Sequence, residues 1–100
     1  MKLSQEQISD LLRALPEWTL QDKAIVREFV FPSFPDAIGF VTRLAFDAEA
    51  ADHHPDLRIS YKRVHVTWTT HSEHGLTEKD GAGARRADAL ARAFGVDAPG

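Results

Sequence analysis

Leu57-Arg-Ile-Ser-Tyr61-Lys62-Arg63-Val64-His-Val-Thr-Trp-Thr-Thr70 is the stretch that decides the fold. Its second half alternates. Val64, Val66 and Trp68 face one way, and His65, Thr67, Thr69 and then His71 the other, which is the period of a strand. Leu57–Tyr61 reads as a second short strand, and Lys62-Arg63 leaves room only for a tight turn, so the two form a hairpin. A sheet is therefore present, and the flanking segments must supply what covers it.

Downstream, the loop His71–Leu76 leads to Thr77-Glu-Lys-Asp80, a capping box that opens a helix reaching about Phe94. Ala87, Leu90, Ala91 and Phe94 give that helix an apolar face. Gly81 and Gly83 each weaken it by about 1 kcal/mol against alanine, so frayed or locally distorted first turns are expected. Gly95–Gly100 reads as a loose tail. Upstream, Ser33-Phe-Pro35-Asp36 starts another helix, with serine as cap and proline in the first turn. Over residues 35–52, Ile38, Val41, Leu44, Ala45 and Ala48 form one stripe, with Phe40 and Phe46 partly outside it. His53-His54-Pro55 ends that helix, because the residue before proline disfavours the α region.

Further toward the N-terminus, Trp18–Leu20 and Ala24–Phe31 read as a hairpin joined through Gln21-Asp22-Lys23. Ile25, Phe29 and Phe31 share one face, while Val26 and Val30 lie on the other. Apolar residues on both sides predict helices over one face and a partner subunit over the other. Ser4 and Gln7 make a second capping box, and Ile8, Leu11, Leu12 and Leu15 repeat at helical spacing over residues 5–15 until Pro16. The order helix–strand–strand–helix–strand–strand–helix predicts an α+β fold. Its simplest form is a four-stranded antiparallel sheet with three helices packed on one face, in a single domain spanning 1–100.

Composition sets outer limits. The 100 residues are 43% hydrophobic and 27% charged with a net charge of −3, ordinary for a soluble globular domain. That balance argues against a nucleic-acid surface, which would be a basic patch. The absence of cysteine removes disulfides, thiol nucleophiles and thiolate metal sites. No apolar run approaches the ~20 residues that span a bilayer, and Met1-Lys-Leu-Ser-Gln-Glu lacks the apolar centre of a signal peptide. The expectation is a cytoplasmic protein without a membrane contact.

The chemistry concentrates between Glu49 and Asp80. Glu49-Ala-Ala-Asp-His53-His54-Pro55 places two imidazoles at a helix end, and His71 follows one hairpin later. Imidazole, with an unperturbed pKa of roughly 6.5, exchanges protons near neutrality. Glu49 and His53 are four apart on one helix, so a carboxylate–imidazole contact between them is expected. His53 also fits a helix C-terminal cap, and His54 points elsewhere. Asp80 fits both a helix cap and a site residue. His65 reads as a strand-interior residue, His74 as a solvated loop residue, and Tyr61 and Trp68 as core; Trp18 fits either core or a ligand platform. A metal held by His53, His54, His71 and His74 is the competing idea, but adjacent histidines rarely chelate one ion and no HExxH spacing occurs. The residues alone imply a small acid/base site of three histidines with carboxylate support.

Glu49-x3-His53-His54-Pro55-x5-Tyr61-x9-His71-x8-Asp80 resembles the signature of the pterin-4a-carbinolamine dehydratases, also called 4a-hydroxytetrahydrobiopterin dehydratases. Ala24-Ile-Val-Arg-Glu-Phe-Val-Phe, Ala37-Ile-Gly-Phe-Val-Thr-Arg, Val64-His-Val-Thr and Gly75-Leu-Thr-Glu-Lys-Asp80 also look like segments of that family. The resemblance implies a four-stranded antiparallel sheet with three helices on one face. It implies dimers formed through sheet edges, some pairing again into homotetramers through helices. It implies dehydration of a 4a-hydroxytetrahydropterin to the quinonoid dihydropterin, which recycles the cofactor of an aromatic amino acid hydroxylase. No metal or cofactor is expected, the pterin being the substrate. Carried over by position, His53 and His71 are implied as acid/base residues, and His54 as orienting the pterin or taking the N5 proton. Glu49 and Asp80 are implied to position the imidazoles. Animal relatives also act as dimerisation cofactors of a homeodomain transcription factor, so a non-catalytic module is the alternative. Gly81-Ala-Gly-Ala departs from the bulkier apolar residues expected there, which bears on helical packing.

Overall fold

The computed structural model describes residues 1–97. The elements run α1 Gln5–Ala14, β1 Thr19–Gln21, β2 Ala24–Val30, α2 Phe34–Ala51, β3 Asp56–Ser60, β4 Arg63–Trp68, a 3₁₀ turn His71–Glu73, and α3 Glu78–Ala93. The four strands form one antiparallel sheet, as the patterning predicts, and the structure sets their order as β1-β2-β4-β3. Because β2 and β3 are both antiparallel to β4, they are parallel to each other. α2 is the crossover between them, and the β3–β4 hairpin slots its second strand into the gap.

Both predicted capping boxes form. Ser4 and Gln7 close the start of α1, and Thr77 and Asp80 that of α3. α2 carries its Ser33 cap and an early proline, but it stops at Ala51. The terminator is Asp52 in the left-handed region (φ 52°), three residues before Pro55. The β3–β4 turn is Tyr61-Lys62, one residue earlier than read from the sequence, since Ser60 pairs with Arg63. Tyr61 takes φ 54° there and is 68% exposed, so it is not a core residue.

The core lies between one sheet face and the helices. Ile25, Phe29, Phe31, Val64, Val66 and Trp68 meet Phe40 and Leu44 of α2 and Ala84, Ala87 and Ala91 of α3. The buried stripe of α2 is Ala37-Phe40-Leu44-Ala48. Phe40 is therefore central and Ile38 outside, a helical face rotated from the expected one because Phe29 and Phe31 draw the larger ring inward. Among the described residues no helix covers the other sheet face. Val26 is half-buried there and Val30 exposed, beside Glu28, His65, Arg58 and Arg63.

Arg27 lies on the covered face, among Ile25 and Phe29, where the alternation alone would not admit a charge. Its guanidinium bonds Asp88 at 2.8 Å and Asp97 at 3.2 Å and sits over the Phe29 ring. A buried cation is tolerated when its donors are paired in this way. Asp88 also accepts from Trp18 Nε1, which settles Trp18 as a core residue. The segment after α3 is correspondingly docked. Gly95 turns the chain at φ 100°, Val96 is buried, and Asp97 reaches Arg27. The loose tail expected from Gly95 is thus corrected as far as Asp97, and residues 98–100 lie outside the described residues.

α3 is regular from Glu78 onward, contrary to the frayed start expected from its glycines. A methyl group at Gly81 would meet Leu11 Cδ1 at 2.9 Å, and one at Gly83 would meet the Trp68 indole at 2.7 Å. Both glycines permit close approach, and the packing gained offsets the helical propensity lost.

Candidate active site

Asp80 is the pivot. It is the third residue of α3 and fully buried, and each of its oxygens is used. Oδ2 accepts from the Thr77 backbone N–H at 2.9 Å and from Thr70 Oγ1 at 2.7 Å. Thr70 has one hydroxyl proton, and it goes to Asp80. The 2.8 Å contact between Thr70 Oγ1 and Thr77 Oγ1 is therefore donated by Thr77, whose oxygen in turn accepts the Lys79 N–H. Oδ1 meets His53 Nε2 at 2.6 Å. The helix-cap and site readings of Asp80 are both true, one on each oxygen.

His53 is reached by the left-handed turn at Asp52, which swings the chain off the axis of α2. That turn undoes the expected Glu49–His53 contact, which assumed a helix continuing through His53. His53 instead lies 12% exposed against Asp80, with its imidazole stacked on Trp68 at 5.4 Å and 17°. A carboxylate accepting from Nε2–H selects one tautomer and leaves Nδ1 as the nitrogen that can address a bound molecule. Beside it a cleft of about 440 Å³ opens between α2 and α3. Leu44, Ala48 and Ala51 line one wall and Ala82 and Gly83 the other; Trp68 and His53 close one part of it, and Asp47, Arg86 and Lys79 stand among its polar residues. Asp47 and Arg86 are bonded at 2.8 Å.

Glu49 does engage an imidazole, that of His54, with Nε2 at 2.7 Å from Oε1. The pair stands in water, with side chains 57% and 81% exposed. His54 lines a second hollow with Val41, Phe46, Pro55 and Leu57. His71 is exposed at the first position of the 3₁₀ turn and lines a third hollow with Gln21, Lys23 and His74. The fold therefore brings His53 and Asp80 together, pairs His54 with Glu49, and places His71 next in sequence to Thr70, which itself bonds Asp80. Within one chain the three imidazoles line three different depressions. His65 Nε2 lies 2.6 Å from Glu28 Oε2 on the open sheet face, away from all of them.

Sequence reasoning missed three contributors. Thr70 and Thr77 hold Asp80, and Trp68, assigned to the core, presents its face to His53. The Thr77 capping box was the available signal for one of these; nothing local marked the other two. Among the described residues, no group of three His, Asp or Glu side chains is placed to hold a metal ion, and no helix is long and apolar enough to cross a membrane.

The family model for pterin 4 alpha carbinolamine dehydratase matches residues 1–90. A Chloroflexus aurantiacus protein named "Putative pterin-4-alpha-carbinolamine dehydratase" is 49% identical over 89 residues, covering 89% of this chain and 96% of the relative. A Nocardia farcinica protein of the same name is 48% identical over 90 residues, covering 90% and 95%. Among solved structures, a transcriptional coactivator/pterin dehydratase from Brucella melitensis superposes with a TM-score of 0.88 at 43% identity, covering 91% of this chain and 99% of that one. A pterin dehydratase-like protein described as a RuBisCO assembly factor in the alpha-carboxysome gives 0.62 at 25% identity, covering 74% and 86%.

Proposed function

The chain belongs to the pterin 4 alpha carbinolamine dehydratase family, and we propose from that premise that it dehydrates a 4a-hydroxytetrahydropterin. In this reaction the C4a–O bond breaks as a proton reaches the departing oxygen, which leaves as water. N5 loses its proton and C4a=N5 forms, giving the quinonoid dihydropterin. One acid and one base suffice, with no redox step, so the pterin is substrate and no separate cofactor is called on.

The observation that carries the reading is the buried Asp80–His53 pair beside the α2–α3 cleft. A carboxylate fixed by two other donors holds the imidazole in one orientation, as a proton-transfer group requires. His53 delivers or takes the proton at the leaving oxygen, His71 shares that work, and His54 orients the pterin or receives the N5 proton. Glu49 and Asp80 position the imidazoles they bond. The physiological role is recycling the pterin of an aromatic amino acid hydroxylase in the cytoplasm.

A homodimer or homotetramer is part of the proposal. It is supported by the edge strand β3, exposed at every residue, whose Leu57 lines one hollow with the exposed Phe46 of α2. The names of the two similar structures, coactivator and assembly factor, make a non-catalytic module the second reading. Stopped-flow loss of the ultraviolet signal of enzymatically generated 4a-hydroxytetrahydropterin separates the two. Acceleration over the spontaneous rate, reduced in His53→Ala and His71→Ala, supports the dehydratase. No acceleration by the folded protein removes it in favour of the module.

A further inference from the structure

We infer that Trp68 is a positioning residue for His53, the indole fixing the tilt of the imidazole that Asp80 only tethers. The inference rests on the acid/base role of His53 proposed above. A single hydrogen bond from Nε2 to Oδ1 sets a distance and leaves the ring free to rock about that axis. Rocking would change the direction in which Nδ1 faces. The Trp68 face, parallel to the imidazole within 17° at 5.4 Å between centroids, removes that freedom. Edge contact and face contact together define one orientation.

The indole is itself immobilised. Trp68 is the last residue of β4, paired with Ile25, and 2% exposed. Against its ring lies Gly83 of α3, where a Cβ would meet Cε2 and Cζ2 at 2.7 Å and Cδ2 at 2.8 Å. The Gly81-Ala-Gly-Ala segment is thereby explained at one position, since only glycine leaves the indole its place against His53. Trp68 Nε1 is buried without a hydrogen-bond partner. An orphaned donor is unfavourable, so the indole is held here by the packing of its ring and not by a polar contact. What distinguishes the indole here is its broad, flat face.

Three variants and one spectroscopic signature test this. Trp68→Leu removes the face, and kcat should fall about tenfold to a hundredfold with KM changed less than about threefold, the scale of a small misplacement of a reacting group. Trp68→Phe keeps a flat ring and should hold kcat within about threefold. Gly83→Ala leaves the indole intact but displaces it, and should lower kcat in the same sense by a smaller factor. In proton NMR of the wild type, the His53 ring protons should be shifted upfield by the indole ring current relative to the other histidines. Trp68→Leu should abolish that shift, and Trp68→Phe should largely retain it.

Unchanged kcat in Trp68→Leu beside an active wild type overturns the inference, as does the absence of the upfield shift in the wild type. If Trp68→Leu does not fold, Gly83→Ala and the wild-type spectrum decide. A wild type that does not accelerate dehydration strikes the dehydratase reading alone. In that case, a sharp, unchanged His53 resonance set in Trp68→Leu overturns the positioning role, and broadened or averaged resonances support it.

Discussion

His53 and His54 are neighbours in sequence, and each bonds one carboxylate oxygen at nearly the same distance, 2.6 Å and 2.7 Å. Their surroundings differ. Asp80 is fully buried and held by two further donors, while Glu49 is 81% exposed at the surface of α2. A pair at the surface is screened, and typically contributes about 0–1 kcal/mol. A buried carboxylate with several donors is different: loss of one partner leaves an unsatisfied group behind. Equal bond lengths therefore do not mean equal work. His53 is fixed from its edge and its face, and His54 is restrained only by a solvated tether.

The largest effect should come from breaking the fixed pair at its root. Asp80→Ala removes the acceptor for Thr70, Thr77 and His53 together, and is expected to lower stability by about 2–4 kcal/mol. Chemical denaturation checks this, and a loss below about 1 kcal/mol would show that the network is not a unit. His53→Ala should lower the dehydration rate by about 10²–10⁴-fold with the fold retained by circular dichroism. His54→Ala should lower it less; a reversal of that order in stopped-flow kinetics would undo the comparison. Glu49→Gln should shift stability by no more than about 0.5 kcal/mol. The smallest catalytic change belongs to His65→Ala, which loses its 2.6 Å contact with Glu28 on the open face. It should lower the melting temperature slightly and leave the rate within about twofold, as befits a half-exposed pair away from the site. A large rate loss there would relocate the chemistry.

The periodicities made the layout legible. The alternation of Val64, Val66 and Trp68 marked the central strand, and two capping boxes marked the starts of α1 and α3 correctly. What stayed hidden depended on contacts distant in sequence or on a single backbone angle. Glu49 looked like the partner of His53 because helical geometry puts residues four apart together. One left-handed residue, Asp52, cancelled that and handed His53 to a carboxylate 27 positions away. Phe40 was misplaced because the helix rotates to suit rings on β2, which spacing within α2 does not record. Arg27 was overlooked because its partners Asp88 and Asp97 come from the far end of the chain. The histidines themselves were evident from residue type; the order that the fold imposes among them was not.

The docked segment after α3 has a consequence for how this chain ages. Val96 is seated in the core with its N–H bonded to the Ala91 carbonyl, and Asp97 is one of two carboxylates paired with a buried guanidinium. Cleavage after Phe94 would therefore do more than free the residues that follow it. It would empty the buried position of Val96 and leave Arg27 with Asp88 as its carboxylate partner among the described residues. The turn over residues 94–97 acts as a seal on the part of the core beneath it.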